Sequence, residues 1–93
     1  MEKMDLDRAL TTIGKGFFIK YFVDLMSETP EDCIRIIEED YTEKSKRSRV
    51  GHAKMIFAHN MEKEALEYIS KSDRVERCWR EQALIFLQDM FGE

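Results

Sequence analysis

The chain has 93 residues, 43% of them hydrophobic and 37% charged, with a formal net charge of −4. That length suits one domain around one core, the apolar share excludes a disordered chain, and the charged share argues against a membrane protein. One Pro and four Gly leave little turn chemistry for a many-stranded β fold, whereas abundant Glu, Lys, Ala, Leu, Arg and Met favour helix.

The N-terminal "MEKMDLDRAL" is charged and lacks the apolar run of a secretory signal. From there Leu6, Ala9, Leu10, Ile13 and Phe17 recur at helical spacing, with Asp5 and Asp7 at the end where a helix dipole favours acids. Gly14 and Gly16 each cost about 1 kcal/mol inside a helix. The apolar arc also rotates and broadens after them, to Phe18, Ile19, Tyr21, Phe22, Val23, Leu25 and Met26. These features predict a break near Gly14–Gly16, followed by a helix buried on most sides. The apolar stretch from Gly16 to Met26 falls short of the ~20 residues that span a bilayer, and it carries Lys20 and Asp24.

"SETPEDC" is the clearest start signal. Thr29 caps, Pro30 fits the first helical position, and Glu31 and Asp32 suit the first turn. That helix is expected to end near Asp40. Thr42 caps the next, which runs to about His59 with Asn60 as a left-handed stop. Glu62 to Ser70 forms a further helix facing inward through Ala65, Leu66 and Ile69. Ser72 or Asp73 caps the last one, whose expected core stripe is Val75, Cys78, Trp79, Gln82, Ile85, Phe86 and Met90. The expected architecture is all-α, a compact single-domain bundle of about five short helices over residues 1–93. "HAKMIFAHNMEKEALEYISKS" resembles the helical hairpin of a tetratricopeptide repeat through Ala53, Ile56, Ala65 and Ile69, which implies an antiparallel helix pair. The aromatic and proline positions of that repeat do not match, and no second copy follows.

Charge is segregated along the chain. Seven acids and one base, Arg35, lie between Glu28 and Glu43; Lys44, Lys46, Arg47, Arg49 and Lys54 follow with no acid among them. A helix starting near Thr42 places these cations at its N-terminal end, where the dipole disfavours each by about 0.3–1 kcal/mol. Two accounts fit. Either Glu38, Glu39 and Asp40 fold back and neutralise the bases, or the cations form an anion site for nucleic-acid phosphate or an acidic partner. Lys71, Arg74, Arg77 and Arg80 make a second basic strip, interrupted by Glu76 and Glu81. An acidic chain with no helix-turn-helix signature is a poor prior for duplex binding.

Arg47 and His52 enclose four residues, a spacing that resembles the Arg-x4–6-His pattern of HEPN-type ribonucleases. The resemblance implies a general acid/base role for His52 and phosphate stabilisation by Arg47. Ser48 stands where that family more often has Asn, Asp or His. His52 and His59 are seven apart, too far along one helix to share a metal ion. Cys33 and Cys78 are expected to be two buried free thiols in a reducing cytoplasm. No metal or cofactor is expected.

The last helix carries more apolar residues than one face needs. Leu84, Leu87 and Phe91 fall off the expected core stripe and are assigned to an interface with a partner or a second copy. The functional expectation is therefore a small soluble cytoplasmic protein that binds another protein or itself rather than catalysing a reaction. By class-level analogy such acidic helical proteins are regulators, adaptors, immunity proteins or antitoxins, often microbial. Nucleic-acid binding through residues 44–54, with Arg74 and Arg77, is the first alternative, and an Arg47/His52 ribonuclease is the second.

Overall fold

A computed structural model describes residues 5–92, so the first four residues of the N-terminal stretch read for a signal lie outside it. The described residues contain no strand. They form α1 (Leu6–Ile13), α2 (Lys15–Lys20), α3 (Phe22–Ser27), α4 (Pro30–Ile36), α5 (Glu43–Ala58), α6 (Glu62–Ser70) and α7 (Arg77–Phe91). The all-α expectation holds, with two helices more than five.

The extra helices come from the first apolar stretch, which breaks twice. Gly14 adopts φ +90°, a left-handed conformation that L side chains rarely tolerate, and its N–H closes α1 onto the carbonyl of Leu10 at 2.8 Å. Tyr21, at φ −107° and ψ 18°, separates α2 from α3. Its hydroxyl accepts from the backbone N–H of Glu38 at 3.0 Å and donates to Glu39 Oε1 at 2.7 Å, tying the segment after α4 to this second break.

Thr29 and Thr42 cap α4 and α5 through their side-chain oxygens, as the sequence predicts. Helix α4 ends at Ile36, earlier than expected, because residues 37–42 turn to meet Tyr21 and Lys20 instead. Asn60 takes φ +57° and ends α5 as a left-handed stop.

Helix α5 is the spine of one half, packed by α1, α3 and α4. Helices α6 and α7 form the other half and join the first mainly through α2. Of the expected hairpin between α5 and α6 only the short connection remains: α6 packs chiefly on α7. The core is fully apolar, centred on Leu10, Ile13, Phe18, Phe22, Ile56, Leu66 and Ile69. Phe22 links the halves, its ring 5.4 Å from Phe57 on α5 and 4.8 Å from Phe86 on α7. The Cα radius of gyration is 12.6 Å, near the ~12 Å of a compact chain of this length.

Helix α7 departs most from expectation. It begins at Arg77 after Glu76, several residues beyond Ser72 and Asp73, and Glu76 makes no side-chain capping bond. Its buried positions are Ala83 and Leu87, whereas Ile85 and Met90 are exposed. Cys78 is also exposed; only Cys33 is a buried thiol, donating to the carbonyl of Asp24 at 3.3 Å, and both cysteines are free. Burial pushes the Cys33 thiol up.

Candidate functional site

The basic run separates into different jobs. Arg49 turns inward. Its Nη1 donates to the carbonyl of Ile13 at 2.6 Å and its Nε to Ser45 Oγ at 3.2 Å. The guanidinium lies 4.0 Å from the centroid of the Tyr41 ring and 5.7 Å from that of Phe17. Lys54 donates to the carbonyl of Glu28 at the end of α3. Both cations thus serve carbonyls at helix C-termini, where the dipole favours positive charge. Both are among the residues expected at a binding surface, and each is engaged within the fold instead of standing free.

Arg47 is exposed and sits 3.9 Å from Glu43, one turn away on the same helix. Lys44 is exposed and Lys46 half-buried, and neither has an ion pair among the described residues. Glu38 and Glu39 do not neutralise this run. They meet Lys20 at 3.8 Å and 3.0 Å. Burial alone would raise the Glu39 carboxyl, but hydrogen bonds from Tyr21 and Lys20 outweigh it and hold the group below its usual range.

What remains of the basic site is a groove of about 350 Å³ between α4 and α5, lined by Glu31, Ile34, Arg35, Glu43, Lys46 and Arg47. Arg35 pairs with Asp32 at 3.5 Å, so acids and bases alternate around it. Arg35 and Arg47 thus already face carboxylates at this groove, whereas Lys46 does not.

His52 Nδ1 lies 2.7 Å from the carbonyl of Ser48, which requires the proton on Nδ1. Residues five apart on a helix point about 140° apart. Arg47 and His52 thus leave α5 in different directions, Arg47 toward Glu43 and His52 toward the carbonyl of Ser48. Among the described residues, no three His, Cys, Asp or Glu side chains gather as metal ligands do. The second basic strip is likewise divided. Lys71 and Arg74 precede α7, Arg77 pairs with Glu81 at 3.0 Å, and Arg80 Nε is enclosed without a hydrogen-bond partner among the described residues.

The apolar surface is clearer. Helix α7 packs chiefly on α6, buries Ala83 and Leu87 in the core, and approaches α2 and α3 through Trp79 and Phe86. Leu84 is 50% exposed and its neighbour Ile85 47% exposed, on the side turned away from both. Of the three residues assigned to an interface, Leu84 alone is open. Leu87 is core, and Phe91 is half-buried against it, with Lys63 Nζ 5.9 Å from its ring centroid. Ile85, expected in the core, stands beside Leu84 instead. A signal for this was present: Leu84, Ile85, Phe86 and Leu87 are consecutive, and four consecutive helical residues cover about 300° of the wheel, so some must face outward. Val23 (53% exposed) and Met26 on α3 add further open apolar surface.

No helix among the described residues is long and apolar enough to cross a membrane. No protein-family model, no curated protein and no solved structure matches this chain.

Proposed function

We propose that the protein is a small cytoplasmic binding protein without enzymatic activity, and that it pairs with a second copy of itself through the outer side of α7. The carrying observation is the adjacent pair Leu84 and Ile85, each about half exposed on a helix whose other side is sealed in the core. Exposed apolar side chains grouped on one face mark interaction surfaces, whereas scattered ones need no explanation.

A second copy is the occupant that the charges favour. The first half of α7 carries Arg77 and Arg80 against Glu81, a net charge of +1 that adds to the positive end of the helix dipole; the second half carries Asp89 and the negative end. An antiparallel copy sets the basic half of each helix against the acidic half of the other. Across such a two-fold interface residue i meets j and j meets i, and only residues near the axis meet their own equivalents; Leu84 and Ile85 lie near the middle of α7. A stable interface buries about 800 Å² per partner, more than two side chains supply, so the docked face extends to the flanking side chains of α7.

The reading is tested by thermal unfolding at increasing protein concentration. A dimer whose folded form is coupled to association melts at higher temperature as concentration rises. Leu84→Asp is expected to remove that dependence while leaving the helical spectrum intact. An unfolding midpoint independent of concentration in the parent protein would refute the reading.

A further inference from the structure

A second groove, of about 310 Å³, lies where the start of α2 meets the start of α7, and Lys15, Gly16, Arg74, Val75, Glu76 and Trp79 line it. We propose that it binds a small organic phosphate. It is distinct from the α7 face and does not depend on self-association.

Three donors carry the inference. Lys15 and Arg74 have no ion pair among the described residues, although acids outnumber bases in the chain. Lys15 Nζ lies 5.7 Å from the ring centroid of Tyr68, whose hydroxyl is fixed by Asp7. The third donor is the indole N–H of Trp79, which meets no acceptor among the described residues and lies at Gly16. Two unpaired cations and a free N–H suit the oxygens of a phosphoryl group, and the guanidinium of Arg74 can engage two of them at once.

Gly16 makes this arrangement possible. A Cβ there would lie 2.9 Å from Trp79 Nε1 and 3.2 Å from Cδ1, so only glycine lets the indole edge come so close to α2. The rest of the lining selects the ligand. Val75 and the half-buried Trp79 offer apolar contact, and Glu76 offers an acceptor to a hydroxyl or amino group. Inorganic phosphate uses only the three donors, whereas a mononucleotide also uses the apolar lining and Glu76. The volume is at the small end for small-molecule pockets, which fits a monomer better than a polymer.

Trp79 is the sole tryptophan, so its emission reports on the groove. The experiment titrates inorganic phosphate and AMP into the intact protein, with potassium chloride at matched ionic strength as control. Backbone amide shifts of residues 15 and 74–79 follow the same titrations independently of the emission. The proposal expects saturable changes, tighter for AMP than for phosphate, and at least tenfold weaker in the Lys15→Gln/Arg74→Gln double variant. These substitutions replace exposed or half-buried polar side chains and spare the core. Responses no larger than those to chloride, or unchanged in the double variant, would overturn it. Equal affinity for the two probes would overturn the assignment to an organic ligand.

Discussion

Arg49 holds the end of α1. Its guanidinium reaches from the first half of α5 to the carbonyl of Ile13, 36 residues earlier, while Tyr41 lies under its plane. The contact needs the break at Gly14: a Cβ on that residue would stand 3.1 Å from Arg49 Nη1. A cation that looks misplaced at the start of its own helix is thus well placed at the end of another.

Arg49→Ala is expected to lower stability by about 1.5–3 kcal/mol, the range for a hydrogen bond involving a charged group. Arg49→Lys should restore only part of this, because one ammonium cannot span Ser45 and Ile13 and stack on Tyr41. Lys44→Gln and Lys46→Gln should each stay within about 0.5 kcal/mol of the parent. Urea unfolding of the four variants checks the ranking, and equal effects at positions 46 and 49 would contradict it.

Leu87→Ala should cost about 2–5 kcal/mol through the cavity it leaves, measured at a protein concentration low enough to exclude association. Leu84→Ala under the same conditions should be within about 0.5 kcal/mol of the parent. The two residues look alike in the sequence, and the structure gives them opposite environments.

That contrast shows what was legible. Start and stop signals with a local cause, such as the caps Thr29 and Thr42 and the left-handed Asn60, could be read because their chemistry lies within three or four residues. The orientation of α7 could not, because apolar residues surround it and the helical period then selects no single face. What decides is tertiary: the burial of Ala83 and Leu87 in the core, and the close fit of Trp79 to Gly16. The basic run was visible as charge, but the fate of Arg49 and Lys54 depends on the ends of α1 and α3, far away in sequence.

Two glycines on helices should respond in opposite directions to alanine. At Gly51 an added Cβ meets nothing within 4 Å, so Gly51→Ala should stabilise the protein by up to about 1 kcal/mol through helix propensity. At Gly16 the same methyl collides with the rigid indole of Trp79, and overpacking of this kind costs about 1–3 kcal/mol, more than the propensity gain. Thermal melts of the two variants side by side read the sign directly.

Stability should fall in acid partly through Glu39. Its carboxyl titrates below its ordinary value of 4.5 when folded, so the ionised form stabilises the fold. That contribution is complete above the ordinary value and is lost as pH drops through the lower folded one. Tyr21 behaves in the mirror sense. Burial raises its hydroxyl above 10, so its contribution holds below pH 10 and is lost as pH rises further. Glu39→Gln should lower stability at neutral pH and flatten the acid limb of a stability-against-pH curve. Parallel acid limbs in the variant and the parent would contradict the clasp of Tyr21, Lys20 and Glu39.

Sedimentation equilibrium of the parent protein and of Leu84→Asp, over a wide concentration range, tests self-association through α7 most directly. The account predicts a parent mass that rises from the 11.1 kDa monomer toward twice that value, and a variant that stays at the monomer mass throughout. A parent protein that remains at 11.1 kDa at every concentration, or a variant that associates equally well, would contradict it.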